Sequence, residues 1–196
     1  MTVVCLPMLV VLVGAAGAGK STWCVDHVAA HQVVSLDRLR ALVADDPGDQ
    51  SATPDAVELG TRLVTARLGR GLPVTVVDAT NLDPAHRRDL ITLAARHHGA
   101  AVAVTFTTPL AQCLRRNAHR PGSRRVPEAV LRAQHAAFQA ALDTLPVEGF
   151  TGVHDACCLP GHPSTGCLLS TWSCGWAAAV PAAGRPAGAG RAGVTR

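Results

Sequence analysis

Short apolar runs alternate along the chain with longer amphipathic stretches. The runs are rich in valine, as expected of parallel strands that are covered by helices on both faces. They span Leu9 to Val13, Val33 to Ser35, Val74 to Val77, Val102 to Phe106 and Phe150 to Val153. Strands that alternate with helices in this way predict an α/β protein built on a mostly parallel sheet.

Proline residues indicate where the helices between the strands begin. Proline suits the first helical position, because its missing N–H would have no partner there. Thr53, Asp83 and Thr108 each precede such a proline, and their side chains are predicted to cap the helices. The helix after Asp83 is predicted to end at Gly99, since glycine readily adopts the left-handed conformation that is common at helix ends.

The last predicted helix opens at Val126 and Pro127 and runs to about Leu145. Its helical periodicity places a group of apolar residues on one face, which we expect to be buried. These residues are Val130, Leu131, Ala137, Phe138 and Leu142.

The composition changes near residue 155. Cysteine, glycine, proline, serine and tryptophan replace the regular alternation there, and residues 181–196 are almost entirely alanine, glycine, proline and arginine. We therefore predict one folded domain over residues 1–154 and an irregular, largely disordered tail over residues 155–196.

One motif carries specific chemistry. Residues 14–21 match the phosphate-loop pattern of Gly, four residues, Gly, Lys and then Ser or Thr. A predicted strand ends at Val13 and a helix-compatible run begins near Gly19, so the loop amides and the helix N-terminus can converge on a polyphosphate. The residues predicted to bind ATP here are Gly14, Ala15, Ala16, Gly17, Ala18, Gly19, Lys20, Ser21 and Thr22.

Lys20 and Ser21 have separate predicted roles in this loop. Lys20 is the only lysine among 18 basic residues, and its compact ammonium group suits the β- and γ-phosphates. The Ser21 hydroxyl can bind Mg²⁺. Guanine-specific switch proteins normally carry a further lysine for base recognition, so the lack of a second lysine disfavours a GTPase.

Two carboxylates follow predicted strands and so should lie at the same sheet edge as the loop. Asp37, after the second strand, could accept a proton from an attacking hydroxyl, or it could only cap the next helix. Asp78 ends the third strand, in the position of a carboxylate that holds Mg²⁺ directly or through water. A plain turn at the end of the strand is the alternative for Asp78.

A basic segment lies between the helices predicted after Pro109 and Pro127, and a Pro-Gly-Ser sequence interrupts it. The segment predicts a mobile lid whose arginines close over the phosphates and stabilise charge during transfer. For Arg115, Arg125 and Arg132 the alternative is an ordinary solvated surface. The arginines are Arg115, Arg116, Arg120, Arg124, Arg125 and Arg132.

Together these motifs resemble the kinase domain of bacterial polynucleotide 5′-kinase/3′-phosphatase enzymes, which repair broken RNA or DNA ends. The resemblance spans residues 9–153. Its most specific element is the acidic stretch that ends in Gln50, within the segment Asp45 to Thr53, because phosphate loops are common. The other elements are the phosphate loop, Asp37 with Arg40, Val77 to Asn81, and Arg116-Asn117 followed by Arg120, Arg124 and Val126.

The resemblance implies roles for these residues. Lys20 and Ser21 would hold ATP·Mg²⁺, and Asp37 would activate the 5′-hydroxyl. Arg116 and Arg124 would contact phosphates from the lid, with Arg120 as a further ATP-binding residue. Arg40 and Gln50 would contact the acceptor strand. The lid is one residue longer than the family pattern, so either Arg124 or Arg125 would face the phosphate.

The resemblance also implies a P-loop kinase fold with a five-stranded sheet of order 2-3-1-4-5. Family members usually continue into a phosphatase domain, and this chain instead enters its irregular tail, so we predict no 3′-end chemistry. The predicted function is transfer of the γ-phosphoryl group of ATP to the 5′-hydroxyl of a polynucleotide. The alternatives are a kinase of a small hydroxylated metabolite, sugar or antibiotic, and an ATP-binding module of a larger repair assembly.

Composition adds little to the choice of acceptor. The net charge of +4 is compatible with an anionic partner, and aromatic residues, at 3% of the chain, leave few platforms for base stacking. The N-terminal apolar stretch is too short to span a bilayer, and no basic residue precedes it as in a secretory signal. We therefore expect a cytoplasmic protein with no membrane partner.

Overall fold

A five-stranded sheet forms the centre of the protein in a computed structural model that describes residues 6–158. Its order is β2-β3-β1-β4-β5, and every neighbouring pair is parallel. The α/β class and the strand order implied by the resemblance are therefore confirmed. The strands are β1 (Met8–Val13), β2 (Val33–Ser35), β3 (Val74–Asp78), β4 (Ala100–Thr105) and β5 (Gly152–Asp155).

Six α-helices of the described residues cover the sheet on both faces and give a three-layer sandwich. They are α1 (Lys20–His27), α2 (Leu36–Ala44), α3 (Thr53–Gly69), α4 (Pro84–Arg96), α5 (Leu110–Ala118) and α6 (Glu128–Thr144). Short 3-10 turns lie at Ala30–Gln32, Gly122–Arg124, Leu145–Val147 and Ala156–Cys158. No helix in residues 6–158 has both the length and the apolar character needed to cross a membrane.

Strand β1 contributes to two cores because successive side chains of a strand point to opposite faces. Val10 and Leu12 pack with Trp23 on one side of the sheet. Leu9 and Val11 pack on the other side, where Phe138 also lies. All four β1 residues are fully buried, so the valine-rich pattern does mark a strand that is covered on both faces.

The predicted helix caps are only partly correct. Asp83 caps α4, and its carboxylate accepts a hydrogen bond of 2.9 Å from the Ala85 amide. Thr53 already lies within α3, whose N-cap is Ala52, so the predicted cap is wrong there. Thr108 is also not a cap, because its hydroxyl donates instead to the Ala18 carbonyl at 2.7 Å and Pro109 takes the N-cap position of α5.

Gly99 serves a different purpose from the one predicted. Helix α4 ends at Arg96, and His98 adopts the left-handed conformation with φ +55°. The amides of His98 and Gly99 bond to the Ala95 and Ala94 carbonyls, which is the Schellman pattern of a helix end. Glycine is needed at position 99 because a Cβ there would lie 2.6 Å from the Pro7 carbonyl oxygen.

The buried face of α6 differs from the prediction. Leu131, Phe138 and Ala141 are buried, whereas Val130 and Ala137 are exposed and were wrongly assigned to the core. A spacing of three and four residues from Leu131 onwards describes the buried face, and Val130 and Ala137 each lie about 100° away from it around the helix. The same spacing places the half-buried polar residue Gln134 on the inner face.

The predicted domain boundary falls within β5, which runs to Asp155. The predicted tail lies outside the described residues from position 159 onwards.

Candidate active site

The phosphate loop joins β1 to α1 at the carboxyl edge of the sheet. Gly17 and Gly19 adopt φ values of +77° and +109°, a region that residues with a Cβ rarely occupy. A Cβ at Gly17 would also lie 2.8 Å from the Cys113 carbonyl oxygen. The glycines of the motif therefore permit both the curvature of the loop and its close contact with α5.

Lys20 lies at the first position of α1 and is buried. Its Nζ donates hydrogen bonds to the Gly14 carbonyl at 2.7 Å and to the Ala15 carbonyl at 2.8 Å. An ammonium group has three hydrogens, so one remains for a phosphate. Burial lowers the pKa of Lys20 to about 8, against the opposing effect of the Asp78 charge.

Ser21 and Asp78 form a pair beside the lysine. The Ser21 hydroxyl donates to Asp78 Oδ2 at 2.9 Å, across the gap between α1 and the end of β3. Burial raises the pKa of Asp78, and the hydrogen bond from Ser21 and the charge of Lys20 partly offset this rise. A hydroxyl and a carboxylate are oxygen ligands of the kind that Mg²⁺ prefers, so the pair fits this ion.

The rest of a magnesium shell would have to come from phosphate oxygens and water. Within residues 6–158 no group of three or more His, Cys, Asp or Glu residues is arranged to hold a metal. Mg²⁺ characteristically binds through one or two protein ligands together with substrate phosphates, so this donor set suits a nucleotide-bound ion.

Asp37 lies in the first turn of α2, next to the end of β2. Its carboxylate accepts a hydrogen bond from Arg40, and its side chain is 46% exposed. The N-cap of α2 is Ser35, so Asp37 does not take the capping position that was its alternative interpretation. Ser35, two residues before Asp37, pairs with Asp78 across β2 and β3, so Asp37 follows the strand end that lies beside Asp78. The charge of Asp37 accordingly acts to raise the pKa of both Lys20 and Asp78.

Arg40 is buried and holds the acidic segment, residues 45–52, against α2. Its Nε donates to the Pro47 carbonyl at 2.9 Å, while its Nη2 donates to Asp37. The guanidinium therefore connects the predicted base to the segment. Gln50 is exposed within that segment and donates to the Gly48 carbonyl at 3.1 Å. Contact of either side chain with an acceptor strand stays a prediction.

The acidic segment also touches the lid. Asp46 Oδ1 accepts hydrogen bonds from the Gly48 amide and from the Ser123 hydroxyl, both at 2.8 Å. The backbones of Gly48 and Ser123 are so close that a Cβ on Gly48 would lie 2.2 Å from the Ser123 carbonyl oxygen. This contact joins the segment between α2 and α3 to the lid.

The predicted lid arginines divide into two groups. Arg116 Nη1 donates to the Gly17 carbonyl at 3.1 Å, and the charge of Arg120 acts to lower the pKa of Lys20, so both arginines lie at the loop. Arg124 is exposed in the turn Gly122–Arg124. Arg125 is also exposed and donates to the Ala118 carbonyl at 2.6 Å. Neither Arg124 nor Arg125 lines the cavity at the loop.

A cavity of about 630 Å³ opens over the phosphate loop between α1 and the lid, which is a volume typical of sites for small ligands. Sequence reasoning identified its loop residues, Arg116 and Arg120, and missed its other lining residues. The rings of Trp23 and His27 stack with their centroids 4.8 Å apart. Their spacing of four residues on α1 could have indicated this pair. The other missed residues are Asp26, Phe106, Thr107, Thr108, Ala156 and Cys157.

Comparison with known proteins agrees with this geometry. A family model described as an AAA domain matches residues 9–145. A protein in a solved Pnkp1/Rnl/Hen1 RNA repair complex is 20% identical with a TM-score of 0.58, and the match covers 71% of this chain and 46% of that chain. A putative kinase from Chloroflexus aurantiacus j-10-fl is 15% identical with a TM-score of 0.50, covering 76% of this chain and 88% of that one.

A gluconokinase from Sinorhizobium meliloti 1021 also matches, with 18% identity, a TM-score of 0.48 and coverage of 89% and 95% of the two chains. At these identities the protein of the RNA repair complex and the Chloroflexus kinase establish the fold, which is that of P-loop kinases. The match spans about half the length of the protein in the RNA repair complex.

Proposed function

The chain belongs to the AAA domain family, and from that membership and the geometry of its phosphate site we propose that it is an ATP-dependent kinase acting on the 5′-hydroxyl of a polynucleotide. One observation carries the catalytic part of the proposal. Asp37 follows the end of β2, where Ser35 pairs with Asp78, and Asp78 bonds to Ser21 of the phosphate loop, so a proton acceptor lies on the strand end next to the residues suited to hold ATP.

The chain's own residues supply the groups that phosphoryl transfer needs. Lys20, the loop amides and Arg116 hold and orient the phosphates, and Ser21 with Asp78 would hold Mg²⁺. Mg²⁺ held there would neutralise negative charge on the phosphates during transfer. The acceptor oxygen bonds to the γ-phosphorus, the bond from that phosphorus to the β–γ bridging oxygen breaks, and Asp37 takes the hydroxyl proton.

The polynucleotide acceptor rests on the resemblance of the motifs around Asp37 and the acidic segment. The name of the RNA repair complex among the structural relatives agrees with it. Arg40 supports the proposal in a different way from the one expected, since it orients Asp37 and anchors the segment through Pro47.

The test is transfer of labelled γ-phosphate from ATP to a 5′-hydroxyl oligonucleotide. A 5′-phosphorylated oligonucleotide is the blocked acceptor, and Lys20→Ala and Asp37→Asn are the variants. Asp89→Asn is the matched control, because Asp89 is exposed on α4. We expect label only on the 5′-hydroxyl strand, loss of label in the two site variants, and wild-type transfer in the control.

A kinase of a small hydroxylated molecule is the second candidate, and the contact between Asp46, Gly48 and Ser123 favours it. A lid that is bonded to the acidic segment would help to enclose a small acceptor. Competition between the oligonucleotide and a panel of sugars and other small alcohols separates the two. ATP binding without label on any hydroxyl would contradict both kinase proposals and leave the nucleotide-binding module.

A further inference from the structure

Gln134 is a polar residue on the inner face of α6, between the buried residues Leu131 and Phe138. It is half-buried, and its side chain points toward the phosphate loop rather than into the apolar core. Glutamine at an inner position costs stability unless its amide is bonded. Its partner therefore indicates what the residue does.

That partner is the backbone of the phosphate loop. Gln134 Oε1 accepts a hydrogen bond of 3.1 Å from the Ala16 amide, which is 118 positions away in the sequence. Because an N–H bonds to an acceptor, the oxygen of the glutamine side chain must face the loop. Ala16 is only 8% exposed, so its amide would have little access to water without this bond.

The neighbouring loop residues are held from the same side. The Gly17 carbonyl accepts from Arg116 on α5 at 3.1 Å, and the Ala18 carbonyl accepts from Thr108, just before α5, at 2.7 Å. Three consecutive residues of the loop are thus bonded to the segments that flank the lid.

The two helices that flank the lid, α5 and α6, are also joined to each other at the base of the lid. Asn117, which is buried on α5, donates to the Val126 carbonyl at 2.7 Å and accepts from the Val126 amide at 3.0 Å. Helix α6 begins two residues later, at Glu128. A displacement of Val126, at the base of the lid, would therefore be transmitted to Gln134 through α6.

We propose that Gln134 is a positioning residue for nucleotide binding. It joins α6 to the phosphate loop, so that the loop and the helices that flank the lid move together. Gly14 and Gly17 flank this part of the loop and leave its backbone intrinsically free. Without Gln134 the nucleotide itself would have to order the Ala16 segment. The free energy needed to order this segment would weaken ATP binding, because it is subtracted from the free energy gained when the nucleotide binds.

The test measures ATP·Mg²⁺ affinity by calorimetry, together with the melting temperature of the nucleotide-free protein. Gln134→Ala removes the acceptor, and we expect ATP to bind about tenfold more weakly. Gln134→Glu keeps an oxygen for the Ala16 amide but adds a negative charge beside the phosphate site. It should retain the melting temperature and bind ATP more weakly than the alanine variant.

Gln139 provides the matched control, since it is an exposed glutamine on the same helix. Gln139→Ala and Gln139→Glu should bind ATP as the wild type does. Wild-type ATP affinity in Gln134→Ala, with only the melting temperature lowered, would overturn the inference and leave a packing role. If the alanine variant does not fold, Gln134→Met, which keeps the length of the side chain but offers no oxygen to the Ala16 amide, replaces it and should show the same weaker ATP binding.

The inference rests on the ATP-binding part of the proposed function and not on the acceptor. A wild-type protein that binds ATP no better than Lys20→Ala would overturn both. Wild-type binding that Gln134→Ala shares would overturn the inference alone. The experiment contains no acceptor, so a failure to label oligonucleotides has no bearing on its result.

Discussion

Lys20 combines a positive charge with almost complete burial. Two carbonyl oxygens accept from its ammonium group, and the carboxylates of Asp37 and Asp78 favour its charged form, yet burial dominates and lowers its pKa to about 8. The charged form is the one that attracts phosphate. The protein therefore holds this ammonium close to the pH at which it loses its proton.

ATP affinity should consequently fall as the pH rises above about 8. Above its pKa the free lysine is neutral, so binding of a polyanion must take up a proton, and each further pH unit weakens binding by up to about tenfold. Titrations of ATP between about pH 7.5 and 9.5 would measure this slope. Lys20→Ala should lack it, and constant affinity of the wild type across this range would contradict the prediction.

At the scale of elements, two segments that are far apart in the sequence meet over the cleft. The acidic segment, residues 45–52, and the turn Gly122–Arg124 are joined by the Asp46–Ser123 hydrogen bond. Gly48 allows this contact, because a side chain there would overlap the Ser123 backbone. The lid and the acidic segment are therefore coupled through direct backbone packing.

Gly48→Ala should force the segment and the lid apart. A more open cleft admits water, so we expect a several-fold higher KM for the acceptor and more ATP hydrolysis without transfer. Parallel assays of ADP release and labelled product measure the ratio. Gly69→Ala is the control, because a Cβ there meets its nearest neighbour, His97, at an ordinary 3.5 Å. Equal ratios in the two variants would argue against the coupling.

At the scale of the whole molecule, Arg87 connects residues that come before α6 in the sequence to Glu148, which comes after it. It is almost completely buried, and it donates to both carboxylate oxygens of Glu148 and to the Asn81 and Leu82 carbonyls. Asn81 in turn donates to the Leu12 carbonyl at 2.7 Å. The ion pair therefore stabilises the strand ends that carry the phosphate loop and Asp78.

Glu148→Gln should destabilise the fold by about 3–5 kcal/mol, because the buried Arg87 charge would lose its partner. Glu128→Gln is the control, since its ion pair with Arg132 is exposed, and it should cost less than about 1 kcal/mol. Urea unfolding measures both free energies of unfolding. Equal losses in the two variants would contradict the assignment.

The same pair predicts a loss of stability in acid. Hydrogen bonds from Arg87 lower the pKa of Glu148 below its ordinary value of 4.5. The carboxylate thus contributes stability above about pH 4.5 that disappears as the pH falls through its lower folded pKa.

Most of the fold and the centre of the site could be predicted from local sequence. Valine runs and helical spacing indicate strands and helices, because backbone sterics and burial act over a few neighbouring residues. The phosphate loop was recognisable because its key residues lie in one continuous segment of the sequence. They are Gly17, Gly19, Lys20 and Ser21. Asp78 followed from its place at the end of a strand, since parallel strands end at a common edge.

The remaining features depend on how the elements pack. Whether Arg40 faces solvent or bonds to Pro47 is decided by the path of the acidic segment. The exposure of Val130 and the burial of Leu131 depend on the rotation of α6 against the sheet. Gln134 and Ser123 contact residues 118 and 77 positions away, and no local pattern encodes such pairs. The sequence alone determined the elements and the phosphate-binding chemistry, whereas the tertiary structure decided which distant side chains meet, because those contacts depend on the packing of complete elements.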